Sequence, residues 1–398
     1  MQPSARSAFE LGLDICAFLF LPVLVLASRG AAPLIGVAGV CALGVVAPNG
    51  AAAWQQVRGW ALLFAMLVLF GAASSLWAVN PWRSLLIALR LTGLFVAGLS
   101  LAAASGRITA PRRLITFFIS GLLAAMTLAV VQYATDGALT AAHSRREFAV
   151  TMLNQAETGF ALLLLPLSTM LVLRRHYLAA ALLAALTIAV IWLLVGDMAK
   201  LAVIIGGGGA AGFYWRRRAL ARTAAVLSVV LVAIAPLTLP RLADIDAARE
   251  AAEYIKFSAW HRLEIWSFAG SRIAEKPLLG WGLDSSRAIP GGNAMTPEDR
   301  PWLPLHPHNA ALQVWLELGI GGAALLAALL ARVWLALGNV AWPRLYAAAA
   351  GGCAAATLVV ALGSYGIWQE WLLASEFLTV FLVLVMARLT WPAPDAPR

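Results

Sequence analysis

Apolar runs of roughly 20 residues follow one another from about Leu11 to Met386, broken by arginine pairs and by turn dipeptides. A run of that length spans the hydrocarbon core of a bilayer as a helix. The chain is 62% hydrophobic and only 12% charged, with a mean hydropathy of +0.83. Water-soluble domains carry about a quarter charged residues, so a soluble globular fold is excluded. The run from Leu11 to Ala27, preceded by Arg6, is too long for the core of a signal peptide and reads as a first span.

The predicted fold is all-α and polytopic, with about 12 transmembrane helices. They fall at 9–28, 32–47, 59–79, 83–104, 114–135, 154–173, 177–196, 199–215, 219–239, 310–337, 343–363 and 371–390. Pro48-Asn49-Gly50, Asn80-Pro81 and Trp342-Pro343 supply turn chemistry. Arg112-Arg113, Arg174-Arg175 and Arg216-Arg217-Arg218 are too costly to bury in lipid. The chain divides into helices at 1–240, a polar segment at 241–309 and further helices at 310–398.

Charge bias sets an orientation. With the N-terminus inside, about 15 Lys and Arg fall on one side, among them Arg58, Arg112, Arg113, Arg174, Arg175 and Arg216 to Arg218. The other side collects 6, namely Arg29, Arg83, Arg90, Arg145, Arg146 and Lys200, when the 241–309 segment is left out. The positive-inside rule then puts both termini in the cytoplasm and the polar segment outside. The net charge of +10 is thus accounted for in part by topology. No basic stripe interleaved with aromatics marks a nucleic-acid surface. Cys16, Cys41 and Cys353 lie in separate apolar runs and read as small buried hydrophobes.

Residues 247–275 read as an amphipathic helix, with Tyr254, Phe257, Trp260 or His261, Ile265, Phe268 and Ile273 at helical spacing. Its tryptophans suggest that it rests at the membrane interface. Lys276-Pro277, Gly280 and Gly282 end it.

Two motifs stand out. One is Arg262-Leu263-Glu264-Ile265-Trp266 followed by Pro277-Leu278-Leu279-Gly280-Trp281-Gly282. The other is His306-Pro307-His308-Asn309, then Gln313, then Glu317-Leu318-Gly319-Ile320-Gly321-Gly322. Together they resemble the O-antigen ligase and polymerase superfamily, and Leu153-Asn154-Gln155-Ala156 is similar to the start of its mid-chain helix. The resemblance implies an inverting, metal-independent, GT-C-like glycosyltransferase without a cofactor, in the bacterial inner membrane, with a large helical periplasmic loop. It implies transfer of a polysaccharide from undecaprenyl diphosphate to the lipid A core. It carries His308 as the catalytic residue and Arg262 as a diphosphate contact. A second basic contact falls on Lys200, where the family usually has an arginine in a Ser-Arg pair and this chain has Ala199-Lys200.

The residues themselves are compatible with that chemistry. An imidazole has a reference pKa of about 6.5 and suits a base for the acceptor hydroxyl. Its place just before a helix disfavours the imidazolium. A guanidinium grips phosphate oxygens in pairs. Asn309, Gln313 and Glu317 recur every four residues and share a helix face that should look into the bundle. His306, Asn309, Gln313, Arg145 and Arg146 complete the candidate substrate contacts, with His306 alternatively a structural group beside the base. No metal site is expected, because Glu298 and Asp299 lack ligand spacing to the histidines. Gly206 to Gly209 lack the lysine of a phosphate loop and suit close helix packing. Glu370 and Glu376 have either a functional role or an arginine partner. The rival activities are the polymerase, which uses the same donor, and a secondary transporter, against which no half-to-half repeat is visible.

Overall fold

The computed structural model describes residues 3–143, 147–255, 257–339 and 341–390. Its regular structure is helical, and the one extended pairing among the described residues is the isolated bridge Met295–Pro301. The first five helices are α1 (Pro3–Ala27), α2 (Ala31–Val46), α3 (Gly50–Ala73), α4 (Pro81–Ser105) and α5 (Pro111–Ala134). The short α6 (Ala138–His143) precedes α7 (Asn154–Leu173), α8 (Tyr177–Leu193) and the long α9 (Asp197–Thr238). Two helices, α10 (Asp246–Ile255) and α11 (Phe257–Glu275), lie in the polar segment. The chain then enters α12 (Ala310–Leu337), α13 (Arg344–Gly363) and α14 (Glu370–Thr390).

Nine described helical stretches are long and apolar enough to cross a membrane, where the sequence suggests about 12 spans. Two of the nine run for 41 and 42 residues and are interrupted. Ala27 leaves helical geometry between α1 and α2 (φ −155°, ψ 69°). Arg216, at the start of the arginine triplet, does so within α9 (φ −133°, ψ 39°). At 17 residues, α8 falls short of the length criterion.

The bundle is held by close approach. Helix α13 lies along α9, and glycines make the contact. A Cβ on Gly352 would stand 2.6 Å from the Gly206 carbonyl oxygen, and one on Gly209 would stand 2.9 Å from the Ala355 methyl. Gly206 and Gly209 therefore serve packing, as small residues do between membrane helices, whereas Gly207 and Gly208 face open space. All three cysteines are free.

The polar segment departs from the single helix read in the sequence. The Arg249–Glu264 ion pair at 2.6 Å joins side chains 15 positions apart, about 22 Å along one straight helix, so α10 and α11 are not collinear. Tyr254, on α10, is 93% exposed, so it does not continue the apolar stripe. On α11 the stripe holds, with Leu263, Ile265, Ala269 and Ile273 buried. The tryptophans of α11 pack against the protein. Trp260 packs with Ala243, Ala252 and Leu263, and the Trp266 indole donates to the Pro307 carbonyl at 2.8 Å. A buried indole N–H needs such a partner, and this one fixes α11 beside the histidine motif.

Candidate functional site

The site grows from the first turns of α12. Asn309 is extended (φ −151°, ψ 119°) and caps the helix, its side-chain oxygen accepting from the Leu312 N–H at 3.1 Å. Its amide nitrogen donates to the Leu362 carbonyl at 2.9 Å, at the end of α13. One turn on, Gln313 accepts from the Ile367 N–H at 2.9 Å and donates to Glu317 at 3.0 Å. Another turn on, the fully buried Glu317 carboxylate accepts from four donors. These are the Asp284 N–H at 2.6 Å, the Ser286 hydroxyl at 2.5 Å, the Trp368 indole at 2.6 Å and Gln313. The shared face looks inward, and what it meets is the 362–369 connection on one side and the 280–288 loop on the other.

Glycines bring the second loop onto the helix. Gly319 leaves helical geometry (φ 59°, ψ −154°), and the freed backbone pairs with the loop: Ile320 N–H to Pro277 O at 2.9 Å, Trp281 N–H to Leu316 O at 3.0 Å, and Gly282 N–H to Glu317 O at 2.8 Å. A Cβ at Gly280 would stand 2.4 Å from the Glu317 carbonyl carbon, and one at Gly319 would stand 2.4 Å from the Leu278 oxygen. Both have positive φ, which a residue with a Cβ rarely adopts.

His306 is buried and braced. Its Nε2 faces the Gly366 N–H at 3.1 Å and the Gln369 amide nitrogen at 3.1 Å. The Trp371 indole donates to Gln369 Oε1 at 2.6 Å, so it is the NH2 of Gln369 that faces the ring. Two donors at Nε2, against the single His308 N–H at 3.2 Å from Nδ1, assign the lone pair to Nε2. Burial, aided by His308, Arg287 and Arg262, pushes its pKa down to about 3.

His308 differs. Its backbone is left-handed (φ 54°), a conformation uncommon outside glycine. Its Nδ1 contacts the Ser364 carbonyl, which can only accept, so Nδ1 carries the proton. The lone pair is left on Nε2, which makes no hydrogen bond to a described residue. Burial, with smaller contributions from Arg262 and His261, lowers its pKa below the ordinary histidine value, although the Ser364 contact acts the other way. The expected direction therefore holds, with burial as the leading cause in place of the helix end. The arrangement is a neutral imidazole fixed in one tautomer with its basic nitrogen uncommitted.

Cations stand beside it. Arg262, on α11, is half-buried and makes no hydrogen bond or ion pair with any described residue. Burial lowers its pKa, opposed by the nearby Asp197 carboxylate and the Tyr365 phenol, and a guanidinium stays charged regardless. Lys200, in the first turn of α9, lies 4.0 Å from Asp197. Glu157, on α7, is within electrostatic reach of Lys200 and accepts from the Gly196 N–H at 2.8 Å. Arg287 is close enough to His306 to disfavour its protonation and lies 3.7 Å from Asp284, which Arg83 also engages at 2.6 Å. Tyr365 leans edge-on against Trp371 at 4.6 Å and approaches Thr158 at 3.5 Å. No cluster of three or more metal-ligating side chains occurs among the described residues.

Residues 160–327 match the family model described as O-antigen ligase. Over this segment the chain is similar to the O-antigen ligase family. The matched segment holds Lys200, Arg262, His306, His308, Asn309, Gln313 and Glu317. Among curated relatives, a protein of Rickettsia prowazekii named "Putative polysaccharide ligase" is 38% identical over 135 residues, covering 33% of each chain. Counterparts of the same description in Rickettsia conorii (36% over 135 residues, 33% of each chain) and Rickettsia typhi (36% over 151 residues, 36% of this chain and 37% of the relative) are similar. The chain thus aligns with about a third of the length of the relatives it matches.

Of the residues singled out in the sequence, His308 and Arg262 lie within electrostatic reach of each other, and Lys200 lies beside Asp197, whose carboxylate also acts on Arg262. His306, Asn309 and Gln313 are adjacent, but their polar atoms are taken up by the protein itself. Arg145 and Arg146 lie outside the described residues. Glu370 has the arginine partner anticipated for it, Arg90 at 3.2 Å, and Glu376 makes no hydrogen bond or ion pair with a described residue. Missed in the sequence were Glu157, Arg287 and the Ser364 to Gln369 connection. Glu157 carried a signal, since an acid inside an apolar run marks a functional position. So did Tyr365, Trp368 and Gln369, a polar and aromatic cluster between two apolar runs.

Proposed function

We propose that this chain is a member of the O-antigen ligase family, an inverting glycosyltransferase that moves a glycan from a lipid diphosphate, undecaprenyl diphosphate, onto a hydroxyl of the lipid A core. His308 Nε2 takes the proton of the acceptor hydroxyl as its oxygen attacks the anomeric carbon. The bond from that carbon to the diphosphate oxygen breaks, and Arg262 and Lys200 hold the departing charge. The observation that carries this reading is the pairing of a tautomer-locked imidazole with a neighbouring guanidinium that makes no ion pair with a described residue. The chemistry needs no metal, since a base and two cations supply both halves of the displacement.

The 241–309 segment is periplasmic in this reading, with both termini cytoplasmic and the protein in the inner membrane. The charge bias supports that orientation. The direct test is transfer from a lipid-diphosphate glycan to purified core lipid with chelator present. Wild type should turn over and His308→Ala should not. Transfer onto a growing glycan in place of core lipid would move the assignment to a polymerase. Labelling of an engineered thiol at position 308 only from the cytoplasmic side would overturn the orientation.

A further inference from the structure

A second cluster of cations lies at the opposite end of the bundle. Helix α7 starts beside Tyr365, through Thr158, and Arg174 follows its last turn roughly 24 Å away, at about 1.5 Å per residue. There α7 ends next to the start of α5 and the end of α14, and the three enclose a recess of about 680 Å³. Arg112, Arg113, Arg174 and His176 line it, with Leu173 and Leu389 as an apolar wall.

The charges in this recess are not balanced. Arg113 reaches down to the buried Asp14, and Glu10 is taken up by Arg6 and by Thr109. Among the described residues, Arg112 and Arg174 have no ion-pair partner, and their side chains make no hydrogen bond. They are close enough to repel, for Arg112 adds to the burial that lowers the Arg174 pKa. Topology alone asks only for positive charge somewhere on this side. It does not ask for two partnerless guanidiniums held together at a cavity against an apolar wall. Guanidiniums match phosphate oxygens in geometry, and the apolar wall suits the glycerol and first methylenes of a lipid.

We propose that this recess binds a phosphate group, the phosphodiester of an anionic phospholipid headgroup or free phosphate. The site is independent of the transfer reaction. Purified protein in zwitterionic detergent would be titrated, with native mass spectrometry as readout, against phosphatidylglycerol, phosphatidylcholine of the same chains, and inorganic phosphate. Wild type should prefer phosphatidylglycerol over phosphatidylcholine by about tenfold, as expected for two basic groups at the headgroup. Arg112→Ala/Arg174→Ala should lose that preference, while Arg58→Ala, which removes one charge outside the recess, should keep it. Competition by millimolar inorganic phosphate would identify free phosphate as the source, and its absence would identify the lipid. Neither side chain has an internal partner to lose, so the double variant should melt as wild type does. Equal binding of both lipids with no effect of phosphate, or a preference that survives in the double variant, would overturn the proposal. So would an equal loss in Arg58→Ala, which would mark bulk charge as the cause.

Discussion

Glu317 should be the least replaceable side chain near the site, although it touches no reacting atom. Its carboxylate is fully buried and surrounded by donors only: a backbone N–H, a hydroxyl, an indole and an amide at 2.5 to 3.0 Å. Glu317→Ala strands all four. A stranded buried donor costs about 1–3 kcal/mol, so a loss of at least about 4 kcal/mol is expected. Glu317→Gln is nearly isosteric yet not neutral. If its NH2 replaces Oε2, it confronts both the Asp284 N–H and the Trp368 indole. Flipped, it confronts Gln313, whose own oxygen is committed to Ile367, while the Ser286 hydroxyl rotates to accept. The flipped form is cheaper, and the loss of one contact and of the charge on the others amounts to about 2–3 kcal/mol. Turnover should follow stability, because Trp368 and Ile367 belong to the connection whose Ser364 carbonyl fixes His308. Thermal melting in detergent and a glycan-transfer assay on the same preparations give both readouts. A Glu317→Ala protein that melts and turns over like wild type would refute the reasoning.

Further outcomes follow from the same geometry. His308→Ala should lower transfer by about 10²–10⁴-fold with melting unchanged, as for removal of a general base. The pH profile of transfer should fall on the acid side, at a pH below the ordinary histidine value of about 6.5, because burial keeps His308 neutral down to lower pH. Arg262→Ala should cost about 10²–10³-fold in turnover, and Arg262→Lys should restore part of it, since a point charge lacks the fork; equal activity of all three would remove Arg262 from the diphosphate site. His306 is held neutral in the fold with a pKa of about 3, whereas the unfolded chain protonates near 6.5. Its contribution to stability is therefore complete above pH 6.5 and declines as pH falls below it, by about 2 kcal/mol at pH 5; a melting temperature independent of pH over that range would contradict the buried, neutral assignment.

The helices were legible because each apolar run and each break has a local cause. The turn dipeptides and arginine pairs that interrupt the pattern are where the structure interrupts its helices, save at the arginine triplet, where α9 bends at Arg216 and continues. The apolar face of α11 was legible for the same reason. That α10 and α11 are not collinear was not, since nothing in Tyr254-Ile255-Lys256-Phe257 is a helix breaker. The packing of Trp260 and Trp266 against the protein was hidden too, because an indole at a membrane surface and an indole donating to a buried carbonyl have the same sequence signature.

The site was half legible, and the division has a physical basis. His308, Arg262 and Lys200 were singled out by the resemblance, which carries a base and two cations onto those positions; residue type alone does not separate them from solvated side chains. Asn309, Gln313 and His306 have the polarity expected of substrate contacts, and sequence spacing tells only that they share a face. What that face meets is decided by residues about 50 to 60 positions away, at Leu362, Gly366, Ile367 and Gln369. Each of those long-range bonds ties the 362–369 connection to the start of α12, and the one free end of the arrangement is the carbonyl that orients His308. The polar residues of the motif therefore act on the imidazole through the connection they hold. A polar helix face in a membrane bundle and a substrate-binding face are alike in sequence because both must satisfy buried donors and acceptors, and here the partners are the chain's own.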